Sequence, residues 1–466
     1  MFVWHSFYLM NFYDRAQEIK RLKKSFSSAQ PKLVVVYGRR RCGKSTLLKR
    51  VLSEHDFYYV APQADEAIQR VQLAQVIGEQ IPGFDRVVYP DWESLFTNLN
   101  NNLTRSTTLC LDEFPYLVKS SGSLPSVIQK LMDRPERQKF HLALCGSSQQ
   151  MMRGIVLDSS APLYGRANEI LKIIPLEAGW LMDHLAGSPE QAVIEYATWG
   201  GVPRYWELRK EYVSYEEAVK DAVLSRLGVL HEEPARLFLD DMRESIQAYS
   251  VMAIVGNGGN KLSEIAGRLQ KPATHLSRLL DKMIQLGYLA RETPFGASLK
   301  NNKKSLYKVA DPFMNFYFSF VAPNLSRLEL GLVDQVFESV SQKLNHFVAK
   351  EWENLCRRCI PMLPIEGISF DQAFRWWGVN ARGDSMELDV AANDLDKKFL
   401  LVGECKWTSV RNPDHLLQQL VEKARLIPGV RAQQEIIPMI FTRALEEPPH
   451  AKVQVFTPAD VLGRLR

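Results

Sequence analysis

The chain has 466 residues, 46% hydrophobic and 24% charged, the makeup of an ordinary globular protein with room for roughly three cores. Six cysteines spread over that length exclude a disulfide framework and point to a reducing cytosol, so a cytoplasmic location is expected. No apolar run reaches the ~18–20 residues of a membrane helix, so no membrane partner is expected, and the net charge of +5 permits an anionic partner without naming one.

Residues 1–9 are apolar but carry neither a basic leader nor a small-residue cleavage site, so no signal peptide is expected there, and Met10 offers an alternative start. Residues 11–26 place Phe12, Ile19, Leu22 and Phe26 at helical spacing, with Asp14 positioned to cap. The β-branched run from Leu33 to Tyr37 then enters Gly38-Arg39-Arg40-Arg41-Cys42-Gly43-Lys44-Ser45-Thr46, which fits G-x-x-x-x-G-K-[ST] and opens a helix. Gly38 and Gly43 let the backbone approach phosphates, and the amides that follow point at them from a helix N-terminus. Lys44 is placed to reach the β- and γ-phosphates, and Ser45 to hold Mg²⁺ by its hydroxyl.

A short strand at Phe57–Val60 and helices over residues 64–80 and 92–103 follow. The apolar strand from Thr107 ends in Asp112-Glu113, a Walker B pattern. Asp112 would hold Mg²⁺ through water, and Glu113 would polarise the attacking water, a role worth ~10²–10⁴-fold in rate. The strand Phe140–Cys145 ends in Gly146-Ser147-Ser148-Gln149, a polar tip that either senses the γ-phosphate or simply turns the chain. Arg166, just before the strand Glu169–Ile173, either completes the transition-state charge, in cis or across a subunit boundary, or makes a surface ion pair. Strands alternating with helices as far as Pro175 predict a parallel α/β sheet. Residues 177–240 read as helices alone, with a sharp turn at Trp199–Tyr205, and suit a lid.

From residue 241 the pattern is helix, short helix, then a helix from Ala273 to Leu286, then two strands, Tyr288–Arg291 and Ser305–Val309, around the basic tip Lys300–Lys304. That order is a winged helix-turn-helix. Thr274, His275, Ser277, Arg278 and Lys282 fall on polar positions suited to a major groove, and the alternative is a spacer or protein dock. The aromatic stretch Phe313–Phe320 reads as packing between modules. An amphipathic helix over residues 334–358 carries Glu353, and beyond a loop with Trp376-Trp377 the strand Ser385–Ala392 carries Asp389. The strand Phe399–Trp407 ends in Glu404-x-Lys406. Residues i and i+2 of a strand share a face, so Glu404 and Lys406 point one way and Asp389 can meet them from a paired strand. Two carboxylates and a lysine make a site for Mg²⁺ or Mn²⁺ that stabilises charge on a scissile phosphate, and Glu353 would complete the acidic cluster. Cys356-x-x-Cys359 has no second pair and reads as ordinary helix-end residues. A helix over residues 414–426, strands at 435–441 and 452–456 and a closing helix complete a small α/β/α fold.

Val35–Ser45, Leu109–Tyr116, Tyr164–Arg166, Gly200–Tyr205 and the start Phe12–Arg15 together resemble the archaeal-type ATPase family, a branch of the P-loop NTPases close to AAA+ and STAND proteins. Residues 244–320 resemble its winged helix, and residues 334–407 are similar to its C-terminal domain, itself related to the PD-(D/E)xK nucleases. The resemblance implies a P-loop ATPase core over residues 1–176, a helical lid over 177–240, a winged helix over 241–322 and a restriction-endonuclease-like domain over 323–466. It implies ATP at Gly38–Thr46, Mg²⁺ and hydrolysis roles at Asp112 and Glu113, and nuclease-type roles at Glu353, Asp389, Glu404 and Lys406. The expected function is ATP hydrolysis coupled to a DNA-binding, potentially DNA-cleaving module, with homo-oligomers compatible. The alternative is a STAND-type switch whose winged helix and C-terminal domain are protein-contact scaffolds.

Overall fold

The computed structural model describes residues 13–185, 187–242, 244–298, 304–363, 365, 367–431, 433–447 and 454–466. Phe12 and the residues before it, most of the expected hairpin tip (299–303) and the first two residues of the strand expected from Lys452 lie outside the described residues. Among those described, no helix is long and apolar enough to cross a membrane. The chain divides into two compact units, Met1–Pro175 with Leu239–Arg243, and Leu176–Phe238 with Glu244–Arg466.

The first unit is built on five strands: β1 (Leu33–Gly38), β2 (Phe57–Val60), β3 (Thr107–Asp112), β4 (Phe140–Gly146) and β5 (Glu169–Ile173). They pair in parallel in the order β2-β3-β4-β1-β5. Every residue of β1, β3 and β4 is buried, as parallel strands covered by helices on both faces require. Leu33, Val35, Leu109, Leu111, Leu142 and Leu144 share one core with Phe96 and Phe114. The parallel register brings the carboxyl ends of β1, β3 and β4 together, with Tyr37 opposite Gly146, and this is the edge where open α/β sheets bind ligands. Gly38 turns out of β1 at φ +151°, and a Cβ there would lie 2.1 Å from the Ile173 carbonyl oxygen, so no larger residue fits.

Asp14 does not cap the first helix. The helix runs Ala16–Phe26 with Arg15 at its N-cap position and no side-chain cap bond. Asp14 and Arg15 both take left-handed conformations, at φ 57° and 71°, which turns the carboxylate away from the first amides. The Arg15 guanidinium instead donates to Glu18 and to the Ile174 carbonyl.

The second unit begins with helices that include Pro189–Trp199, Pro203–Lys210 and Glu233–Asp241, the last of which enters the first unit at Leu239. Glu195, 1% exposed, holds this bundle by accepting from both Arg209 and the Trp199 indole. Next come helices Ser245–Gly256, Leu262–Arg268 and Ala273–Leu286, then an antiparallel hairpin of β6 (Leu289–Glu292) and β7 (Leu306–Val309). Asp311 caps the aromatic helix Pro312–Phe316 through the Met314 amide, 2.8 Å away. Phe316 and Phe320 from this stretch pack on Phe347 of a long helix, Val333–Cys359.

That helix lies against a mixed sheet of β8 (Phe374–Val379), β9 (Ser385–Asn393), β10 (Phe399–Val410), β11 (Glu435–Leu445) and β12 (Gln454–Phe456), ordered β12-β11-β10-β9-β8. β8, β9 and β10 are antiparallel, whereas β10, β11 and β12 run parallel. Trp376 and Trp377, expected in a loop, belong to β8 and pair with Leu388 and Glu387. Two adjacent tryptophans give no period-2 pattern, and it is pairing with β9 that makes them a strand.

Candidate functional site

The loop after β1 wraps the strand edge with its special residues where the chemistry needs them. Arg41 (φ 67°) and Gly43 (φ 84°) are left-handed, which turns successive amides toward one side before the helix Lys44–Val51 begins. Lys44 is 6% exposed, and its ammonium donates to the Arg39 carbonyl of the same loop at 2.9 Å. Ser45 donates from its hydroxyl to Asp112 Oδ2 at 2.6 Å. The two residues expected to share Mg²⁺, one from each motif, are therefore in direct contact.

Asp112 is 3% exposed and fully engaged. Oδ2 also accepts from the Tyr58 hydroxyl, and Oδ1 accepts from the Glu113 amide at 2.9 Å. Burial works to raise its pKa, but donors from the Cys145 thiol, Ser45, Tyr58 and the Glu113 amide outweigh burial and hold the carboxylate below its ordinary range. An ionised carboxylate beside a serine hydroxyl supplies hard oxygen donors, the chemistry Mg²⁺ selects. The same bonds push the Tyr58 hydroxyl far above its ordinary pKa, after burial as the largest cause, so it remains a donor.

Glu113 sits next door in a left-handed conformation (φ 53°, ψ 40°), which for a side chain with a Cβ stores strain of order 1 kcal/mol. That turn carries its carboxylate away from Asp112 to Ser147 at the tip of β4, whose hydroxyl donates to both oxygens at 2.9 and 3.1 Å. The polar tip read as sensor or turn thus contacts the expected general base. Arg166 lies elsewhere: Nε and Nη2 donate to Asp133, which ends the helix Leu124–Met132, and Nη1 donates to the Tyr164 carbonyl. Tyr58 and Cys145 were not foreseen, because their contact with Asp112 depends on pairing between distant strands, which no local motif encodes.

The second unit gathers the other expected set. The ladder between β9 and β10 ends at Val390 opposite Gly403, and beyond it the Cys405 amide donates to Asp389 Oδ2 at 2.8 Å. Glu404 is 9% exposed and accepts from Lys406 Nζ at 2.6 Å, as the shared face of i and i+2 requires. Burial, then the nearby charges of Glu353 and Glu404, push the Asp389 carboxyl up to about 7. Burial also raises Glu353, against the pull of Arg357 and Arg375. Carboxylates that raise one another in this way are relieved by a cation, and their oxygens suit Mg²⁺ or Mn²⁺. As placed, however, Lys406 takes the Glu404 oxygen, and among the described residues no three His, Cys, Asp or Glu side chains are grouped to hold a metal ion.

Arg357 and Asn354, also unforeseen, tie this site to the hairpin. Arg357, 7% exposed, donates to the Asp389 backbone carbonyl and to Asn354 Oδ1, both at 2.8 Å. Asn354 Oδ1 also accepts from Lys308 of β7 at 2.9 Å. The signal was present in the sequence as Glu353, Asn354 and Arg357 at helical spacing, but the residues they meet lie on other elements.

Residues 12–207 match the family described as an ATPase domain predominantly from Archaea. Residues 317–416 match a family of archaeal and bacterial proteins of unknown function. An uncharacterized protein of Methanocaldococcus jannaschii is 29% identical over 424 residues, spanning 89% of this chain and 92% of that one. A Walker-type ATPase of Pyrococcus abyssi superposes with a TM-score of 0.51 at 18% identity, covering 66% of this chain and 95% of that one, a likeness of fold. The ORC2 protein of Aeropyrum pernix, in its ADPNP and ADP complexes, gives 0.47 at 15% identity over 71% of this chain and 95% of that one. The match over residues 12–207, together with the parallel sheet and the loop after β1, makes this chain an ATPase.

Proposed function

We propose that the chain hydrolyses ATP at the Gly38–Thr46 loop and couples nucleotide state to a second unit that binds DNA and cleaves it with Mg²⁺ or Mn²⁺. The observation that carries the hydrolytic half is the linked set of Ser45 on Asp112 and Ser147 on Glu113 at the tips of β3 and β4. Lys44 and the loop amides bind the phosphates, Ser45 and Asp112 hold the metal, and Glu113 accepts the proton of the attacking water. Ser147 holds the Glu113 carboxylate at the tip of β4. Mg²⁺, when bound, neutralises charge on the β- and γ-phosphates. Lys44→Ala should abolish ATP hydrolysis by the purified protein; hydrolysis at the parental rate would refute the site.

For the second unit we read Ser245–Val309 as a winged helix. Its helix Ala273–Leu286 buries Leu276, Leu279, Leu280 and Met283 and leaves Thr274, His275, Ser277 and Arg278 exposed, the polar face a major groove would meet. The sheet β8–β12 is read as restriction-endonuclease-like: Glu353, Asp389 and Glu404 would hold a metal ion if they drew closer than they stand here, with Lys406 moving off Glu404 to orient the water. DNA affinity should fall steeply with salt, since each neutralised phosphate adds to the log–log slope. Cleavage in Mg²⁺ or Mn²⁺ that persists unchanged in Glu404→Ala and Lys406→Ala would rule this assignment out.

A specific observation favours a second reading, a STAND-type switch built from protein contacts. Lys308 of β7 bonds to Asn354, and the Phe295 amide donates to the Arg375 carbonyl of β8, so one flank of the hairpin is occupied by protein. An apparent mass that shifts with a non-hydrolysable ATP analogue, with no DNA binding, would select this reading.

A further inference from the structure

Arg40 stands within the phosphate-binding loop with half of its side chain exposed, and it donates to Asp240 Oδ2. The two residues are 200 positions apart in the chain. Asp240 lies in the last turn of the helix Glu233–Asp241, in the segment Leu239–Arg243 by which the chain returns to the first unit.

An arginine so placed faces two anions. An exposed carboxylate holds it weakly, because solvent screens the pair and ordering both side chains costs entropy. A terminal phosphate offers more charge and acceptors that match the guanidinium fork. We propose that Asp240 competes with the γ-phosphate of ATP for Arg40. ATP takes the guanidinium from the carboxylate and releases the end of helix Glu233–Asp241, whereas ADP leaves the pair closed. Asp240 is thereby the residue through which the loop tells triphosphate from diphosphate. This rests on the assignment of Gly38–Thr46 as the phosphate site.

The test is a double-mutant cycle on the full chain with fluorescent ATP and ADP analogues and Mg²⁺, using wild type, Asp240→Asn, Arg40→Gln and the double variant. Asp240 is 42% exposed on its side chain, so Asn is tolerated without a folding defect. Asp240→Asn should tighten ATP binding about two- to fivefold, the range an exposed pair commands, and change ADP binding less. The gain should shrink at high salt and vanish in the Arg40→Gln background. An unchanged ATP-to-ADP ratio in Asp240→Asn overturns the proposal. So does an equal gain when Arg40 is absent, since that would be a field effect of the lost charge. If the wild type binds neither analogue, the loop assignment itself fails, and that outcome is distinct from both.

Discussion

Tyr58→Phe removes one hydroxyl and nothing else, and the structure sets what that costs. Asp112 is 3% exposed, and the Tyr58 hydroxyl shares its Oδ2 with Ser45. A hydrogen bond to a buried charge contributes about 1.5–3 kcal/mol. For a unit of this size that corresponds to a fall in Tm of about 3–12 °C. The effect must also depend on pH in a definite direction. The Asp112 pKa is lowered in the folded protein from its ordinary 3.8, so the bond's contribution is present above that value and is lost as pH falls through the folded one. Urea unfolding of the full chain at pH 7, and again below pH ~4, should therefore show a gap between wild type and Tyr58→Phe that narrows in acid. Equal stability at pH 7, or a gap that does not change with pH, would refute the reasoning that Tyr58 serves an ionised Asp112.

Three further outcomes are expected. Glu113→Gln should retain ATP binding while single-turnover hydrolysis falls ~10²–10⁴-fold, and because Ser147 can still donate to the amide oxygen the stability should barely change. Arg209→Ala should destabilise the second unit by about 3–5 kcal/mol, the cost of leaving the buried Glu195 carboxylate without its cation, measured by denaturant unfolding with the indole of Trp199 as a nearby reporter. Asp311→Ala should cost about 1–2 kcal/mol through loss of the cap on helix Pro312–Phe316, and Asp311→Asn should restore most of it.

Local chemistry was legible wherever one stretch of chain carries the whole constraint. The apolar runs of β1, β3 and β4 could be nothing but buried strands. Gly38 to Ser45 form a loop whose glycines and lysine lie within one turn of chain, and Glu404 and Lys406 share a face by strand geometry alone. What could not be read depends on partners set by the fold. Tyr58 reaches Asp112 because β2 pairs with β3. Asp240 reaches Arg40 across a whole unit's length of sequence. Arg166 carried two readings because an arginine in a loop can serve either, and its pairing with Asp133 comes from another element of the fold. Asp14 looked like a cap by residue type and position, yet its backbone conformation removes it from the helix.

The helix Val333–Cys359 has a consequence for how this chain can vary. It runs 27 residues with neither glycine nor proline, a rod of about 40 Å with no point of easy bending. Along it, Phe347 meets Phe320, Trp352 meets Trp407, and Arg358 reaches Glu177 and Tyr196. Inserting a single residue after Phe347 would turn everything beyond it by about 100°, withdrawing Trp352, Glu353 and Arg358 from their partners together. Inserting two full turns' worth would restore the face but displace those side chains by about 10 Å. The spacing between Phe347 and Arg358 is therefore a ruler, and insertions in relatives should fall in the loops on either side of it.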